Sequence, residues 1–191
     1  MNTAPPLDPY VYPDAPDVLQ NRLGIKNKSD LEAVENDIVD MARQSLQAND
    51  NEKLNLVLYG LPEREKFKKI HHTLTHEIYA FGGDERVTHI GKQEKLLDGK
   101  TVRYPPPAGL SMIDDDITME DDDITMEDDL DSFFSTMEES EVFSSAMSKE
   151  SFVDLAAECF SELWRIHPFR EVNTRTTALY MEYKANEAGF K

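Results

Sequence analysis

One cysteine, Cys159, stands in the whole sequence. No internal disulfide can staple the fold, which fits a reducing compartment and an expected cytoplasmic location. No apolar run approaches the roughly 18–20 residues needed to cross a bilayer, so a membrane is not among the expected partners. The N-terminus, MNTAPPLDPY, has neither the basic head nor the apolar stretch of a secretory signal. Basic residues are also scarce: 20 Lys and Arg against 38 Asp and Glu, a formal net charge of −18. A basic nucleic-acid face is therefore not indicated. The deficit is local. Between Tyr104 and Ser148 there is no Lys or Arg at all, and that stretch holds fourteen of the acidic residues. The remaining 24 acids nearly balance the 20 bases. Metal-ligand spacing is missing too, since His71 and His72 have no Cys or paired carboxylate near them, which assigns them a structural role.

What is present reads as helices. At 191 residues the chain suffices for one domain with a core. Residues 1–28 are rich in Pro and Asp and read as an extended arm, and a domain follows over 29–191. Ser29-Asp30-Leu31-Glu32 has the form of a capping box. Leu31, Val34, Ile38, Met41 and Leu46 then recur at helical spacing to about Gln47, where Asn49-Asp50-Asn51 is expected to break the helix. A second helix begins near Pro62, carries Phe67, Ile70, Leu74, Ile78 and Phe81, and is expected to end at Gly82-Gly83. A hairpin is predicted from the alternating segment Arg86–Ile90, the turn Asp98-Gly99 and the strand Thr101–Tyr104. The heptapeptide DDDITME occurs twice, at Asp114–Glu120 and Asp121–Glu127. It predicts a solvated, disordered and dispensable acidic insertion over 114–131. Leu130, Phe133, Phe134 and Met137 fit a short helix after it. A helix over Ser148–Ile166 buries Phe152, Leu155, Ala156, Cys159, Leu163 and Ile166. It must stop at His167, which precedes a proline. A last helix is expected from about Thr174 to Glu187, ended by Gly189.

The string His167-Pro168-Phe169-Arg170-Glu171-Val172-Asn173-Thr174-Arg175 joins these last two helices. A helix N-terminus offers free backbone N–H groups and the positive end of a dipole, a phosphate cradle. Arg175 adds a cation in the first turn. Glu171 is placed to hold Mg²⁺ against a phosphate, and His167 to take a proton from an incoming hydroxyl. Base, metal ligand, phosphate nest and cation within nine residues is what nucleotidyl transfer requires.

That string resembles the Fic signature: a His, a Phe two residues on, an acid two further, a Gly-Asn-Gly-type turn and an Arg. Ile70-His71, Ile78–Gly83, Arg86 and Lys92 resemble the family's segment leading into its flap. Tyr10–Pro13 through Leu23-Gly24-Ile25 resembles the entry to such domains. The resemblance implies an all-α Fic fold with a small β-hairpin flap, and a protein adenylyltransferase that moves AMP from Mg²⁺-ATP to a Ser, Thr or Tyr hydroxyl of a target protein. It implies His167 as general base, Phe169 as the loop's anchor, and Glu171 as the Mg²⁺ ligand. Val172, Asn173, Thr174 and Arg175 would hold the nucleotide's phosphates. Val87, Ile90 and Val102 would form the flap that pairs with an extended target segment. It also implies a toxin-like role, a link to cell-division control, or a secreted effector; a relative that binds nucleotide or protein without transfer is the alternative. The sequence departs from the pattern at three places. Val172 and Thr174 stand where glycines are usual, Ala178 stands where a second arginine is common, and the chain ends 16 residues after Arg175 where relatives have further helices. Many relatives carry an inhibitory helix in which a Ser or Thr, three residues, then Glu and Gly or Asn pair with that second arginine. Glu35-Asn36 has Leu31 at the Ser/Thr place, so any off-switch is expected from outside the chain, by a small antitoxin-like partner; the alternative is no inhibition, because activity is already low.

Overall fold

The structure is a computed structural model that describes residues 8–93, 101–110, 124–139, 143 and 146–190. Five helices and four short strands appear among them. In chain order these are β1 (Val11–Tyr12), β2 (Ala15–Leu19), α1 (Lys28–Leu58), α2 (Glu63–Thr75), β3 (Gly91–Gln93), β4 (Thr101–Arg103), α3 (Met126–Glu139), α4 (Lys149–Ile166) and α5 (Asn173–Glu187). The strands form two separate antiparallel pairs, β1 with β2 and β3 with β4. The fold is a helical bundle with a small β3–β4 hairpin, as the sequence predicts.

Helix α2 is the centre of the bundle and packs against α1, α3 and α5. Its Phe67 is 1% exposed. The ring meets Phe134 of α3 at 5.7 Å, Phe169 of the α4–α5 loop at 5.3 Å and Tyr180 of α5 at 5.4 Å between centroids. Aromatic pairs at such separations add to the area they bury, so one residue fastens the loop to two helices. Glu63, in the first turn of α2, accepts the Tyr180 hydroxyl at 2.5 Å and the Lys66 ammonium at 2.7 Å.

Several local expectations give way to longer-range packing. The cap of α1 is Asn27, whose side chain accepts from the Asp30 amide at 3.1 Å; Ser29 donates to that same Asn27 oxygen instead of capping. The helix does not end at Asn49–Asn51. Asn51 takes a left-handed backbone, φ 64°, yet α1 runs through it to Leu58, and Leu54 and Leu58 both reach the core. Asn tolerates that conformation better than most residues. Helix α2 ends at Thr75, earlier than expected, and Ile78 and Phe81 lie in the turns that follow. The N-terminal segment is not simply extended: Val11 pairs with Leu19 and Tyr12 with Ala15, while Arg22 N–H donates to the Ile78 carbonyl at 2.7 Å.

The hairpin also sits later than predicted. Its register pairs Gly91 with Arg103, Lys92 with Val102 and Gln93 with Thr101. Val102 is therefore in the ladder, but Val87 and Ile90 precede it. The predicted turn Asp98-Gly99 lies outside the described residues. The acidic insertion is corrected at its C-terminal end. Helix α3 begins inside the second heptapeptide, where Thr125 and Asp128 cap each other reciprocally. Met126 is 0% and Leu130 1% exposed, and Asp129 pairs with Arg165 at 3.0 Å. Ile124, two residues before Met126, is 62% exposed. The same letters thus bury one residue and expose another, which composition alone does not distinguish. The first heptapeptide lies outside the described residues.

Candidate functional site

Helix α4 stops where the Pro168 ring requires. Its C-cap, His167, is left-handed at φ 52°, and its amide closes the last turn on the Leu163 carbonyl at 3.1 Å. Five residues later Val172, the N-cap of α5, is left-handed as well, at φ 63°. The loop between them is held from inside. Phe169 is 0% exposed. Its amide donates to Asn173 Oδ1 at 2.8 Å, and its carbonyl accepts from Asn173 Nδ2 at 2.7 Å. Asn173 therefore spends its amide on the loop's own backbone, a different placement from the phosphate contact that the family resemblance implies.

The two missing glycines do not have equal weight. Thr174 is exposed in the first turn of α5 and has no positive φ, so no glycine is needed there. Val172 does occupy the left-handed region, at a cost of roughly 1–2 kcal/mol for a residue with a Cβ. Its side chain is 2% exposed and belongs to the hydrophobic core. It therefore turns away from the nest rather than crowding a phosphate. The first helical hydrogen bond of α5 runs from Thr176 N–H to the Val172 carbonyl at 3.1 Å. The amides ahead of it are the orphan donors of a helix N-terminus, suited to an anion.

His167 is 2% exposed. Its ring stacks on Tyr104, with centroids 4.0 Å apart, and stands edge-on to Trp164. Nδ1 lies 3.2 Å from the Trp164 carbonyl. A carbonyl only accepts, so Nδ1 carries the proton and the Nε2 lone pair is the basic one. Tyr104 and Trp164 are parts of the site that sequence reasoning did not find, although Trp164 lies on the expected helix.

Glu171 is half-buried. Its backbone carbonyl accepts from His71 Nε2 at 3.1 Å, while His71 Nδ1 accepts from the Gly83 amide at 2.8 Å. Both partners demand the same neutral tautomer. Burial pushes the His71 imidazole down to about 3. The ring lies flat on Phe169 at 3.8 Å. Gly83 is needed here: its φ is 90°, and an added Cβ would come within 2.9 Å of the His72 Cβ. Among the described residues no group of three or more His, Cys, Asp or Glu is arranged to hold a metal ion. A single carboxylate beside a phosphate cradle still suits Mg²⁺, which keeps several waters and binds through one or two carboxylates plus substrate phosphates.

Arg175 is not left to solvent. Its guanidinium binds the Glu35 carboxylate and donates to Asn36 Oδ1 at 2.9 Å. The second oxygen of Glu35 accepts the Tyr79 hydroxyl. This cation is thus covered by α1 of the same chain. Leu31 has no hydroxyl for the inhibitory pattern because it is a core residue, 5% exposed, and the glutamate meets the first arginine rather than the position of Ala178. A cavity of about 310 Å³ opens beside this pair, with Glu35, Tyr79, Arg170 and Glu171 in its walls and β2 across from them. Arg170 closes its edge by pairing with Asp8 at 2.9 Å. His167 is not in that lining; it faces Tyr104, one residue past β4.

Of the flap residues, Val102 is in β4 and half-buried, Val87 is 63% exposed, and Ile90 stands one residue before β3. No helix among the described residues is long and apolar enough to cross a membrane.

The Fic/DOC family model matches residues 61–184. A Sinorhizobium fredii protein, named a probable protein adenylyltransferase, is 25% identical over 185 residues, spanning 96% of this chain and 78% of that one. Two solved structures share the fold. One is the Bartonella tribocorum effector BepC with bound AMPPNP, at TM-score 0.64 and 23% identity, covering 94% of this chain and 78% of that one. The other is the N-terminal Fic domain of a Bartonella quintana Bep effector with bound ADP, at TM-score 0.67 and 22% identity, covering 94% and 76%.

Proposed function

The chain belongs to the Fic/DOC family, and from that premise we propose that it is a protein adenylyltransferase, moving AMP from Mg²⁺-ATP to a hydroxyl side chain of a target protein. The observation that carries the reading is the loop between α4 and α5. It sets a δ-protonated His167 at one end and the orphan amides and Arg175 of a helix N-terminus at the other, with Glu171 between them.

In this reading a Ser, Thr or Tyr hydroxyl approaches along the β3–β4 flap. His167 Nε2 takes its proton as the oxygen attacks the α-phosphorus, the new O–P bond forms, and the bond to pyrophosphate breaks. The α5 amides and Arg175 hold the phosphates, and Glu171 would hold Mg²⁺, whose charge neutralises the phosphate oxygens. Most of the rate comes from positioning and charge stabilisation, as for phosphoryl transfer in general. The named relative supports the activity, and the nucleotides bound in the two Bartonella structures support ATP as the substrate. The Bep relatives are translocated effectors, which favours a secreted protein acting on a host target over one confined to its own cytoplasm. An antitoxin-like partner is not required to cover Arg175.

A second reading is favoured by the same contacts. With Arg175 on Glu35 and Asn173 on Phe169, two groups expected at the phosphates are engaged elsewhere, which suits a relative that binds a protein or nucleotide without transfer. Incubating the full chain with ATP labelled at the α- or γ-phosphate and a host-cell lysate separates the two. The transfer reading expects protein-bound label from α-labelled ATP only, and a loss of about 10²–10⁴-fold in His167→Ala. Equal labelling by wild type and His167→Ala, or none by wild type and Glu35→Gln alike, would overturn it.

A further inference from the structure

Arg86 is 1% exposed and sits where three segments converge. Its guanidinium donates to the carbonyls of His167 and Thr88, both at 2.9 Å, to that of Pro105, and to that of Ile166 at 3.5 Å. Its own amide donates to the Pro168 carbonyl at 2.8 Å. Thr88 is on the leg that leads into β3. Pro105 is on the leg that leaves β4. Ile166, His167 and Pro168 carry and flank the imidazole proposed as the base.

The chemistry suits one residue type. Carbonyls at a helix C-terminus lack intrahelical donors and carry the negative end of the dipole. A cation there is favourable, and a planar fork with five N–H groups can serve several carbonyls in different directions. Burial pulls the guanidinium down to about 10, so it remains charged at neutral pH. Two further contacts tie the flap legs to fixed elements. The Val87 amide donates to the Tyr10 hydroxyl at 3.0 Å, and the Tyr104 ring lies on His167.

We propose that Arg86 is a positioning residue that couples the flap to His167: both flap legs and the backbone of the base hang on one guanidinium, so the orientation of the ring and the order of β3–β4 rise and fall together. This rests on the reading of β3–β4 as the target-binding flap and His167 as the base. It adds that a docked target strand, by fixing the two legs, also fixes the base.

The test uses the full chain with Arg86→Lys, which keeps the charge but presents its donors from one nitrogen and cannot span the three segments. Hydrogen exchange reports the flap, the imidazole nitrogen shifts of His167 report its tautomer, and urea unfolding reports global stability. Coupling expects β3 and β4 amides to exchange about tenfold faster or more, the His167 ring to leave its single δ-protonated form, and α1 and α2 amides to keep their protection. Unchanged flap exchange with unchanged ring shifts, or a uniform loss of protection in every helix, would overturn it. Should Arg86→Lys fail to fold, the wild-type chain in urea below its unfolding transition keeps the test. Coupling expects the His167 shifts and β3–β4 exchange to change at the same urea concentrations while α1 and α2 stay protected; a flap that opens with the ring shifts unmoved would overturn it. In adenylyl transfer, Arg86→Lys should lower kcat about tenfold or more with the KM for Mg²⁺-ATP unchanged. A wild type that transfers no AMP would sink the adenylyltransferase reading, whereas the exchange and ring measurements decide the coupling regardless.

Discussion

The carboxylate of Glu35, in the second turn of α1, bridges Arg175 and the Tyr79 hydroxyl across 140 residues of sequence. A phosphate that claims Arg175 must displace this carboxylate. Charge-assisted hydrogen bonds contribute roughly 1.5–3 kcal/mol, so Glu35→Gln should tighten Mg²⁺-ATP by about tenfold or more, measured by calorimetry. The glutamine can still accept the Tyr79 hydroxyl, which protects the packing. An unchanged Kd would show that nucleotide does not use Arg175.

Asn173 separates two roles that look alike in sequence. Its side chain bonds both backbone groups of Phe169 and is 2% exposed. Asn173→Ala should therefore destabilise the protein before any ligand is added. Two buried hydrogen bonds lost amount to about 2–3 kcal/mol, a drop in Tm of roughly 4–12 °C for a chain of this size. A variant with wild-type Tm and weakened ATP binding would restore Asn173 to the phosphates.

Met126 tests the acidic segment. It is fully buried within a heptapeptide that, by composition, belongs to solvent. Met126→Ala should cost about 2–5 kcal/mol in urea unfolding. Ile124→Ala, two residues earlier and mostly exposed, should stay within about 0.5 kcal/mol. Equal effects would mean that α3 does not pack on the bundle.

The parts of the molecule legible in the sequence are those written in local rules. The apolar stripe of α4, its stop before Pro168 and the start of α5 follow from periodicity, proline geometry and spacing, while the burial of Phe169 follows from the family resemblance. What escaped is decided by contacts between distant residues. Nothing near Asn49–Asn51 announces that Leu54 and Leu58 will carry α1 onward. Nothing near Arg86 announces that its guanidinium will serve carbonyls 80 residues away. Glu35-Asn36 was visible as a pair, but only the fold shows that it meets Arg175. The hairpin was found and its strand misplaced for the same reason: Arg86–Thr88 is held by Pro168, Tyr10 and its own guanidinium, and so is withdrawn from the ladder.

The last prediction concerns acid. His71 is 1% exposed and neutral, its two nitrogens satisfied as acceptor and donor, and burial lowers it from an ordinary 6.5 to about 3. Protonation would put a proton against the Gly83 amide and a charge beside Phe169. In the unfolded chain the same imidazole binds a proton below about 6.5. Between these values the unfolded state holds the extra proton, so stability is fully present above pH 6.5 and is lost as pH falls, by up to about 1.4 kcal/mol per pH unit. Carboxylates act lower. Burial alone would raise Glu63, but the Lys66 and Tyr180 hydrogen bonds and the Lys184 charge outweigh it and hold it below its ordinary 4.5, so its contribution disappears only below that value. The window from pH 6.5 to 5 therefore lies above the Glu63 titration, and the His71 variant reads that residue's share of the slope. Urea unfolding across it should show a clear downward slope for wild type. Glutamine can accept from Gly83 and donate to Glu171 without titrating, so His71→Gln should flatten that slope, whatever it costs at pH 7. Parallel slopes for the two proteins would mean that His71 is protonated in the folded state, and that the strut holding the Glu171 carbonyl is a different one.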